Sequence, residues 1–295
     1  MNEFKNYHPS INFLYFTAVI GFGMVLLHPV CLLISLVCSF AYAILLNGKR
    51  AVRMQLLLLL PLMLFAGLLN PAFNHEGVTI LTYLPSGNPL TLESILYGIA
   101  AALMLATVIS WFSCYNKIMT SDKFIYLFGK VIPSLSLVLS MTLRFVPRFT
   151  AQLKVVANAQ RCIGRDASTG SLLTRLKNAV TILSIMVTWA LENAIETADS
   201  MKSRGYGLPG RTAFSIYRFD TRDRNALTCL LLLIGYLLLG VFTGQTYFRY
   251  FPSMKSAEVN PYTITVFGAY ILLCSMPLWI ELWEAKKWNA IKSSL

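Results

Sequence analysis

Apolar residues are concentrated in six long runs of this 295-residue chain, and each run is almost free of Lys and Arg. Each run approaches the roughly 20 helical residues that cross a hydrocarbon core about 30 Å thick. Helix is the predicted structure, because lipid offers no hydrogen-bond partner to an exposed backbone amide. The runs cover residues 11–27, 30–46, 54–69, 91–111, 226–243 and 262–282. The predicted fold class is therefore an all-α membrane protein with about six transmembrane helices.

The first run resembles a secretory signal peptide in length, but we interpret it as a membrane span. Little positive charge precedes it, and His28-Pro29 follows it in place of the small residues of a cleavage site. Proline disfavours helical backbone in the residue before it, so this pair predicts a tight corner between the first two helices. The loop of residues 70–90 contains several turn-forming pairs and is predicted to be irregular.

About 110 residues separate the fourth run from the fifth, and this segment is too polar to cross the membrane and too apolar to be a linker. It divides the chain into three parts. Residues 1–114 are predicted to hold the N-terminal transmembrane helices and residues 115–224 a cytoplasmic helical region. Residues 225–295 are predicted to hold the C-terminal transmembrane helices and a tail.

The first amphipathic helix of this region is predicted to begin at Pro147 and to end at Gly164, since proline suits the first position of a helix. Residues spaced by threes and fours form its less polar side, whereas Arg148 and Lys154 lie on other faces. That side contains Phe149, Leu153, Val156, Gln160 and Ile163.

A second amphipathic helix is predicted over residues 172–202, ending at Arg204-Gly205, where glycine favours a helix stop. Its apolar side contains Leu172, Leu176, Val180, Leu183, Val187, Ala190, Ala194, Ala198 and Met201. Two such helices could lie flat on the inner leaflet or make a mechanical contact with a partner, and periodicity leaves both alternatives open.

Positive charge predicts the orientation. The chain has 25 Lys and Arg against 13 Asp and Glu, a net charge of +12, and 16 of the basic residues fall between positions 115 and 224. The loop of residues 70–90 has none. The positive-inside rule therefore predicts a multi-pass protein of the cell membrane with both termini and residues 115–224 in the cytoplasm. Anionic membrane lipid is an additional expected partner of these basic residues.

Motifs for chemistry are scarce. The six cysteines form no CxxC pair, and His8, His28 and His75 share no ligand spacing, so no metal site is expected. No GxxxxGK[ST] loop occurs, and we expect no cofactor and no catalytic residue. Nucleic-acid binding is not expected either, because the basic residues lie on helices with wide apolar faces and without interleaved aromatic residues.

Residues 198–207 read Ala-Asp-Ser-Met-Lys-Ser-Arg-Gly-Tyr-Gly and are followed by Arg211-Thr212. This stretch resembles the signature of the T component of energy-coupling-factor importers, the family that includes the cobalt-transport membrane subunit. That family ends two cytoplasmic coupling helices in Ala-Arg-Gly motifs, and Ser203-Arg204-Gly205 is similar to the second. Residues 143–147 and Ala159-Gln160 also resemble the family pattern. At the first motif the chain departs from the pattern, because Cys162-Ile163-Gly164 stands there between Arg161 and Arg165. Either flanking arginine could take the missing role.

The resemblance implies a non-catalytic subunit of an ATP-driven importer. Its expected partners are two cytoplasmic ABC ATPase subunits and a separate substrate-binding membrane subunit, the S subunit. The cargo would be a vitamin, a vitamin precursor or a metal ion. Arginine suits the ATPase contact, because its ionised fork can bind a carboxylate bidentately. The residues that the resemblance implies for ATPase coupling are Arg161, Cys162, Ile163, Gly164, Arg165, Ser203, Arg204 and Gly205.

Two other functions fit the sequence less well. A self-sufficient secondary transporter would usually show repeated halves and charged or broken spans, and no such repeat is evident. An intramembrane enzyme would need ionisable groups at membrane depth, whereas Glu93 and Glu281 lie near span ends, where solvation at the interface is the simpler explanation. Glu192, Glu196 and Asp199 on the second helix are expected to form a solvated or ion-paired face.

Overall fold

The computed structural model describes residues 3–83, 89–129, 132–206, 208, 217–258 and 260–293. Helix dominates these residues, and the few strands form two short antiparallel pairs. The helices are α1 (Pro9–Val25), α2 (Pro29–Asn47), α3 (Lys49–Phe73), α4 (Leu92–Ile118), α5 (Ser121–Gly129), α6 (Pro133–Cys162), α7 (Leu172–Ser203), α8 (Thr221–Phe242) and α9 (Pro261–Ser293). The strands are β1 (Ile80–Tyr83), β2 (Pro89–Thr91), β3 (Phe248–Arg249) and β4 (Lys255–Ser256).

Five of the described helices, α2, α4, α7, α8 and α9, are long and apolar enough to cross a membrane. Two shorter apolar helices, α1 and the Leu60–Phe73 part of α3, accompany them. The all-α membrane fold predicted from the sequence is confirmed. The six predicted runs lie on α1, α2, α3, α4, α8 and α9, and α7 also meets the length and composition of a span.

The chain divides into two compact units, which are described separately. The membrane unit comprises Met1–Lys123 and Tyr217–Leu295, and the two-helix unit comprises Phe124–Ile216. The membrane unit contains all the predicted runs, whereas the two-helix unit contains α6, α7 and the part of α5 from Phe124 onward.

Aromatic side chains form the centre of the membrane unit. Phe4, Tyr15, Phe16, Tyr42 and Trp111 are almost completely buried and meet mainly edge to face, with ring centroids 5.2–6.4 Å apart. Two of these rings find polar partners inside the core: Tyr15 Oη donates to a carbonyl of α9 at 3.1 Å, and Trp111 Nε1 donates to a serine hydroxyl of α2 at 2.9 Å. Such bonds are needed because lipid would not satisfy these groups.

His8 and His28 begin α1 and α2 in the same way. Each imidazole Nδ1 accepts the backbone N–H two residues later at 3.3 Å, and each is followed by a proline at the first helical position. Both histidines therefore act as helix N-caps. The corner predicted at His28-Pro29 is confirmed, with α1 ending at Val25 and α2 beginning at Pro29.

Glu93 is buried, so the prediction of a solvated interfacial carboxylate was wrong. Its carboxylate accepts the backbone N–H of Thr79 at 3.2 Å and the Thr79 hydroxyl at 2.8 Å. The loop of residues 70–90 is also more regular than predicted, because β1 pairs with β2 within it. Some of the turn-forming residues of this loop, at positions 85–88, lie outside the described residues.

The first helix of the two-helix unit begins earlier than the sequence indicated. α6 starts at Pro133, and Pro147 lies in its interior. Both prolines satisfy the preference for the first helical position, so the sequence alone could not choose between them. An interior proline removes one backbone hydrogen bond from a helix. The 14 residues of α6 that precede Pro147 are nevertheless helical.

Candidate coupling site

The two helices of the two-helix unit pack through a small apolar cluster. Val156 of α6 and Ile182 and Met186 of α7 are buried there. Beside them the rings of Phe149 and Trp189 meet edge to face, 5.3 Å apart at an angle of 83°. These contacts hold α6 and α7 together.

The face of α7 that packs on α6 is not the apolar side predicted from the sequence. Most of the predicted side is exposed, and Leu172, Val180 and Leu183 are 81%, 57% and 62% accessible. The buried positions belong to a neighbouring stripe that includes Ile182 and Met186. α7 therefore has two apolar stripes, of which one contacts α6 and the other is uncovered in the single chain.

α6 uses more of its predicted side. Phe149, Val156 and Gln160 are at least half-buried, whereas Leu153 and Ile163 are exposed. The exposure of Ile163 matters most for function, because this residue lies at the end of the helix.

A loop centred on Asp166 joins the two helices. The Asp166 carboxylate accepts the Ser168 backbone N–H at 2.9 Å and the Ser168 hydroxyl at 2.7 Å, and it pairs with Arg161 Nε at 3.4 Å. The Ser168 hydrogen bonds, followed by the positive charges of Arg161 and Arg175, lower the pKa of this carboxyl group. Asn178 Nδ2 donates to the Asp166 carbonyl at 2.9 Å, which ties the loop to α7.

The tip of α6 is a Schellman turn, the reverse turn in which two backbone N–H groups beyond a helix bond back to its last carbonyls. Gly164 N donates to Arg161 O at 3.0 Å, and Arg165 N donates to Gln160 O at 2.9 Å. Gly164 has a φ of +77°, which glycine adopts without steric cost.

The tip of α7 repeats this turn. Gly205 N donates to Lys202 O at 2.9 Å, Tyr206 N donates to Met201 O at 3.0 Å, and Gly205 has a φ of +74°. The predicted helix stops at Gly164 and Gly205 are therefore confirmed.

The repeated turn puts the two motifs in register. Gly164 corresponds to Gly205, and the residue before each glycine is the helix C-cap, Ile163 in α6 and Arg204 in α7. Their backbone angles agree, with φ and ψ of −96° and 18° at Ile163 and −83° and 9° at Arg204. The equivalent of Arg204 in α6 is thus Ile163.

The neighbouring positions are matched by the same register. Cys162 corresponds to Ser203, Arg161 to Lys202 and Arg165 to Tyr206. All of the side chains predicted for ATPase coupling are exposed, apart from the two glycines, of which Gly205 is half-buried. The structure places them at two separate helix ends of one unit.

Parts of the predicted signature cannot be placed. Gly207, Arg211 and Thr212 lie outside the described residues. Glu192, Glu196 and Asp199 are exposed on α7, as expected for a solvated face. Within the described part of the chain, no three His, Cys, Asp or Glu side chains come together as a potential metal site.

Asp166 and Trp189 were missed from the sequence. Asp166-Ala-Ser168 has the spacing of an aspartate that caps its own turn, so a turn signal was available. Trp189 lies in a stretch that is apolar on nearly every side of the helix. The spacing of apolar residues there does not indicate which side packs on α6.

Comparison with known proteins gives consistent matches. A model of the family described as cobalt transport protein (CbiQ) matches residues 2–214. The energy-coupling factor transporter transmembrane protein EcfT of Lactobacillus helveticus is 36% identical over 114 residues, which cover 38% of this chain and 41% of that protein. The protein of the same name from Lacticaseibacillus paracasei is 38% identical over 109 residues, 37% of this chain and 41% of that protein. The chain thus spans about two fifths of the length of these curated relatives.

Proposed function

Because this chain belongs to the CbiQ family, the transmembrane T components of energy-coupling factor transporters, we propose that it couples two ABC ATPase subunits to a separate substrate-binding membrane subunit. The observation that carries this proposal is the pair of repeated helix tips in the two-helix unit, which expose the motif residues. In this proposal the ATPases supply the energy, and the chain transmits their movement without catalysing a reaction.

The tip of α7 is suited to bind an acidic groove. Arg204 is exposed at the last turn, directly before a glycine that turns the chain away. A cation at a helix C-terminus is already favoured by the helix dipole, which alone would explain an arginine here. The match of residues 198–206 to the family signature supports the additional role, in which the guanidinium binds a carboxylate of an ATPase subunit.

The uncovered apolar stripe of α7 supports a contact with the other proposed partner, the substrate-binding membrane subunit. Leu176, Leu183, Leu191 and Ile195 are each 62–66% accessible, and they follow one another along the helix at intervals of seven, eight and four residues. A soluble partner would be a poor match for such a surface, whereas the apolar surface of a membrane protein fits it. We therefore assign this stripe to the substrate-binding membrane subunit, with membrane lipid as its neighbour.

Charge supports a location in the cell membrane with both termini and the two-helix unit in the cytoplasm, where the ATPases would be. The cargo follows from the kinship alone: the family description names cobalt, so a metal ion, a vitamin or a vitamin precursor is the proposed class.

The proposal is tested by reversing the charge at one tip. Arg204→Glu should insert into the membrane normally, yet it should retain at least tenfold less ATPase when it is purified from its native membrane. Lys177→Glu is the matched control, because Lys177 is an exposed cation near the other end of α7. Normal ATPase retention and normal uptake by Arg204→Glu would disprove the contact. Uptake by the purified chain alone, without nucleotide, would favour a secondary transporter.

A further inference from the structure

We propose that residues 4–8, which we call the strap, make the two points where the chain leaves and re-enters the membrane unit move together. The chain leaves this unit after Lys123 and returns to it at Tyr217. In the proposed function, on which this inference rests, the strap would transmit movement of the two-helix unit to α1 and α9. It would thus act as a positioning segment in a part of the chain different from the helix tips.

The strap is anchored in the centre of the membrane unit. Phe4 is fully buried, and its ring meets those of Tyr15, Phe16 and Tyr42 at centroid distances of 5.2–6.4 Å. Its backbone N–H donates to Glu281 Oε1 of α9 at 3.3 Å. A buried aromatic ring removes a large apolar area from water, so Phe4 is costly to displace. The strap is therefore fixed to the helices that surround this ring.

The leaving side of the chain is held by Lys123, which lies on α5. Its ammonium group donates a hydrogen bond to Lys5 O of the strap, and only 4% of the residue is accessible. A buried charge is costly unless it is hydrogen-bonded. Separation of Lys5 from Lys123 would deprive this ammonium group of a partner, so we expect the strap and the leaving chain to move together.

The returning side is held in the same way by a charge of opposite sign. Asp223, in the first turn of α8, is 3% accessible, and its Oδ1 accepts the backbone N–H of His8 at 3.3 Å. Two side-chain contacts accompany this bond. Arg222 Cζ lies over the Tyr7 ring, 4.3 Å from its centroid, and the ring centroids of Phe219 and His8 are 5.2 Å apart. The first residues of the returning chain thus contact the end of the strap.

Each junction therefore uses a buried charge that is bonded to the backbone of the strap. Among the described residues, the buried charged side chains are these two and that of Glu93, which belongs to the outer loop. Hydrogen bonds to ionised groups are stronger than those between neutral groups. A strap that followed one junction alone would lose such a bond at the other. A displacement at one junction should consequently reach the other.

The first test measures this coupling in the purified full chain, without partners. Hydrogen exchange is followed in peptides that cover residues 4–8 and 217–225, where it reports local opening. Lys123→Met should speed exchange at least threefold in both peptides. Lys117→Met, at an exposed position of α4, is the control and should change neither. Unchanged exchange of residues 217–225 in Lys123→Met would overturn the inference and leave the proposed function intact.

The second test measures transmission in the complex purified from its native membrane. Hydrogen exchange is compared with and without ATP and vanadate, which together trap nucleotide in an ATPase site. In the wild type we expect nucleotide to change exchange in α6 and α7, in the strap and around Glu281 of α9. In Lys123→Met and Asp223→Ala the response of α6 and α7 should remain, whereas the response around Glu281 should fall at least threefold.

Asp220→Ala is the matched control for Asp223→Ala. It alters the N-cap residue of the same helix and leaves Asp223 bonded to His8, so it should respond like the wild type. A full response around Glu281 in Lys123→Met and Asp223→Ala would overturn the inference.

The wild type is decisive even where a variant does not fold. A strap that stays silent while α6 and α7 respond to nucleotide would overturn the inference and leave the proposed function intact. The absence of any response in α6 and α7 would overturn the proposed function, and this inference with it.

Discussion

The ammonium group of Lys123 donates a hydrogen bond to the backbone carbonyl of Lys5, although these residues are 118 positions apart. Lys123 is buried, with 4% of its surface accessible. When the Asn12 amide is oriented so that its nitrogen donates to Phe4 O, its oxygen accepts from Lys123 Nζ at 2.7 Å. Glu281, which lies on α9, accepts a hydrogen bond from the backbone N–H of Phe4 at 3.3 Å. The turn at residues 4–6 is thus bonded to Lys123 on one side and to α9 on the other. Lys123 is the last residue of the membrane unit before the two-helix unit, and these bonds hold it in place.

The burial of Lys123 predicts a dependence of stability on pH. Burial, with a smaller contribution from Lys5, lowers the Lys123 pKa from 10.5 to about 8. Between these values the unfolded chain binds more protons than the folded chain, so the free energy of unfolding should rise with pH. We expect the melting temperature of the wild type, relative to that of Lys123→Met, to increase between pH 7.5 and 10.

Lys117→Met is the control, because Lys117 is exposed on α4. The difference between this variant and the wild type should stay constant over the same pH range. A wild-type advantage over Lys123→Met that falls as the pH rises would contradict the assignment of a depressed pKa.

The glycines of the tips predict a graded effect on ATPase binding. Both have positive φ, so alanine at either should cost about 1 kcal/mol in the turn, or roughly five- to tenfold in ATPase retention. Gly205→Ala should be the more harmful, since its new Cβ would lie 3.1 Å from Leu208 Cδ1, whereas the space at Gly164 is open.

Asparagine tolerates left-handed backbone, so Gly205→Asn should bind more ATPase than Gly205→Ala. Gly235→Ala on α8 is the control, because nothing lies within 4 Å of its Cβ and its φ is not positive. Equal retention by Gly205→Ala and the wild type would show that the turn does not direct Arg204 into its partner.

Sequence predicted the helices well where one physical requirement dominated. The apolar runs had to be helical, and Gly164 and Gly205 had to stop α6 and α7. The start of α6 was misjudged because Pro133 and Pro147 give the same local signal. The face of α7 that contacts α6 could not be predicted, because the helix has two apolar stripes, and only the contacts of Ile182 and Met186 distinguish them. The register of Ile163 with Arg204 required the hydrogen bonds of both turns.

The contact between Phe149 and Trp189 predicts an energetic coupling between α6 and α7. Their edge-to-face geometry should contribute about 0.5–1.5 kcal/mol beyond the area that the rings bury. A double-mutant cycle with Phe149→Leu and Trp189→Leu, measured by reversible denaturation in mixed micelles, should give a coupling of this size. A second cycle with Phe149→Leu and Val187→Ala should be additive, since Val187 is 51% accessible. Additivity in the first cycle would mean that the rings do not hold the helices together.

The Glu93 carboxylate connects α4 to the loop before β1, which predicts that removing it loosens this loop. Its carboxylate accepts both the N–H and the hydroxyl of Thr79, and hydrogen bonds to a charged group are stronger than those between neutral groups. Glu93→Ala should therefore speed hydrogen exchange of the Thr79 amide at least tenfold, and Glu93→Gln should have a smaller effect because one acceptor remains. Glu76→Gln is the control, since the Glu76 side chain is exposed and the hydrogen bonds of this residue to Asn74 and Thr91 use its backbone N–H and carbonyl. Unchanged exchange in Glu93→Ala would mean that the β1–β2 pair alone orders the loop, and the buried carboxylate would then need another explanation.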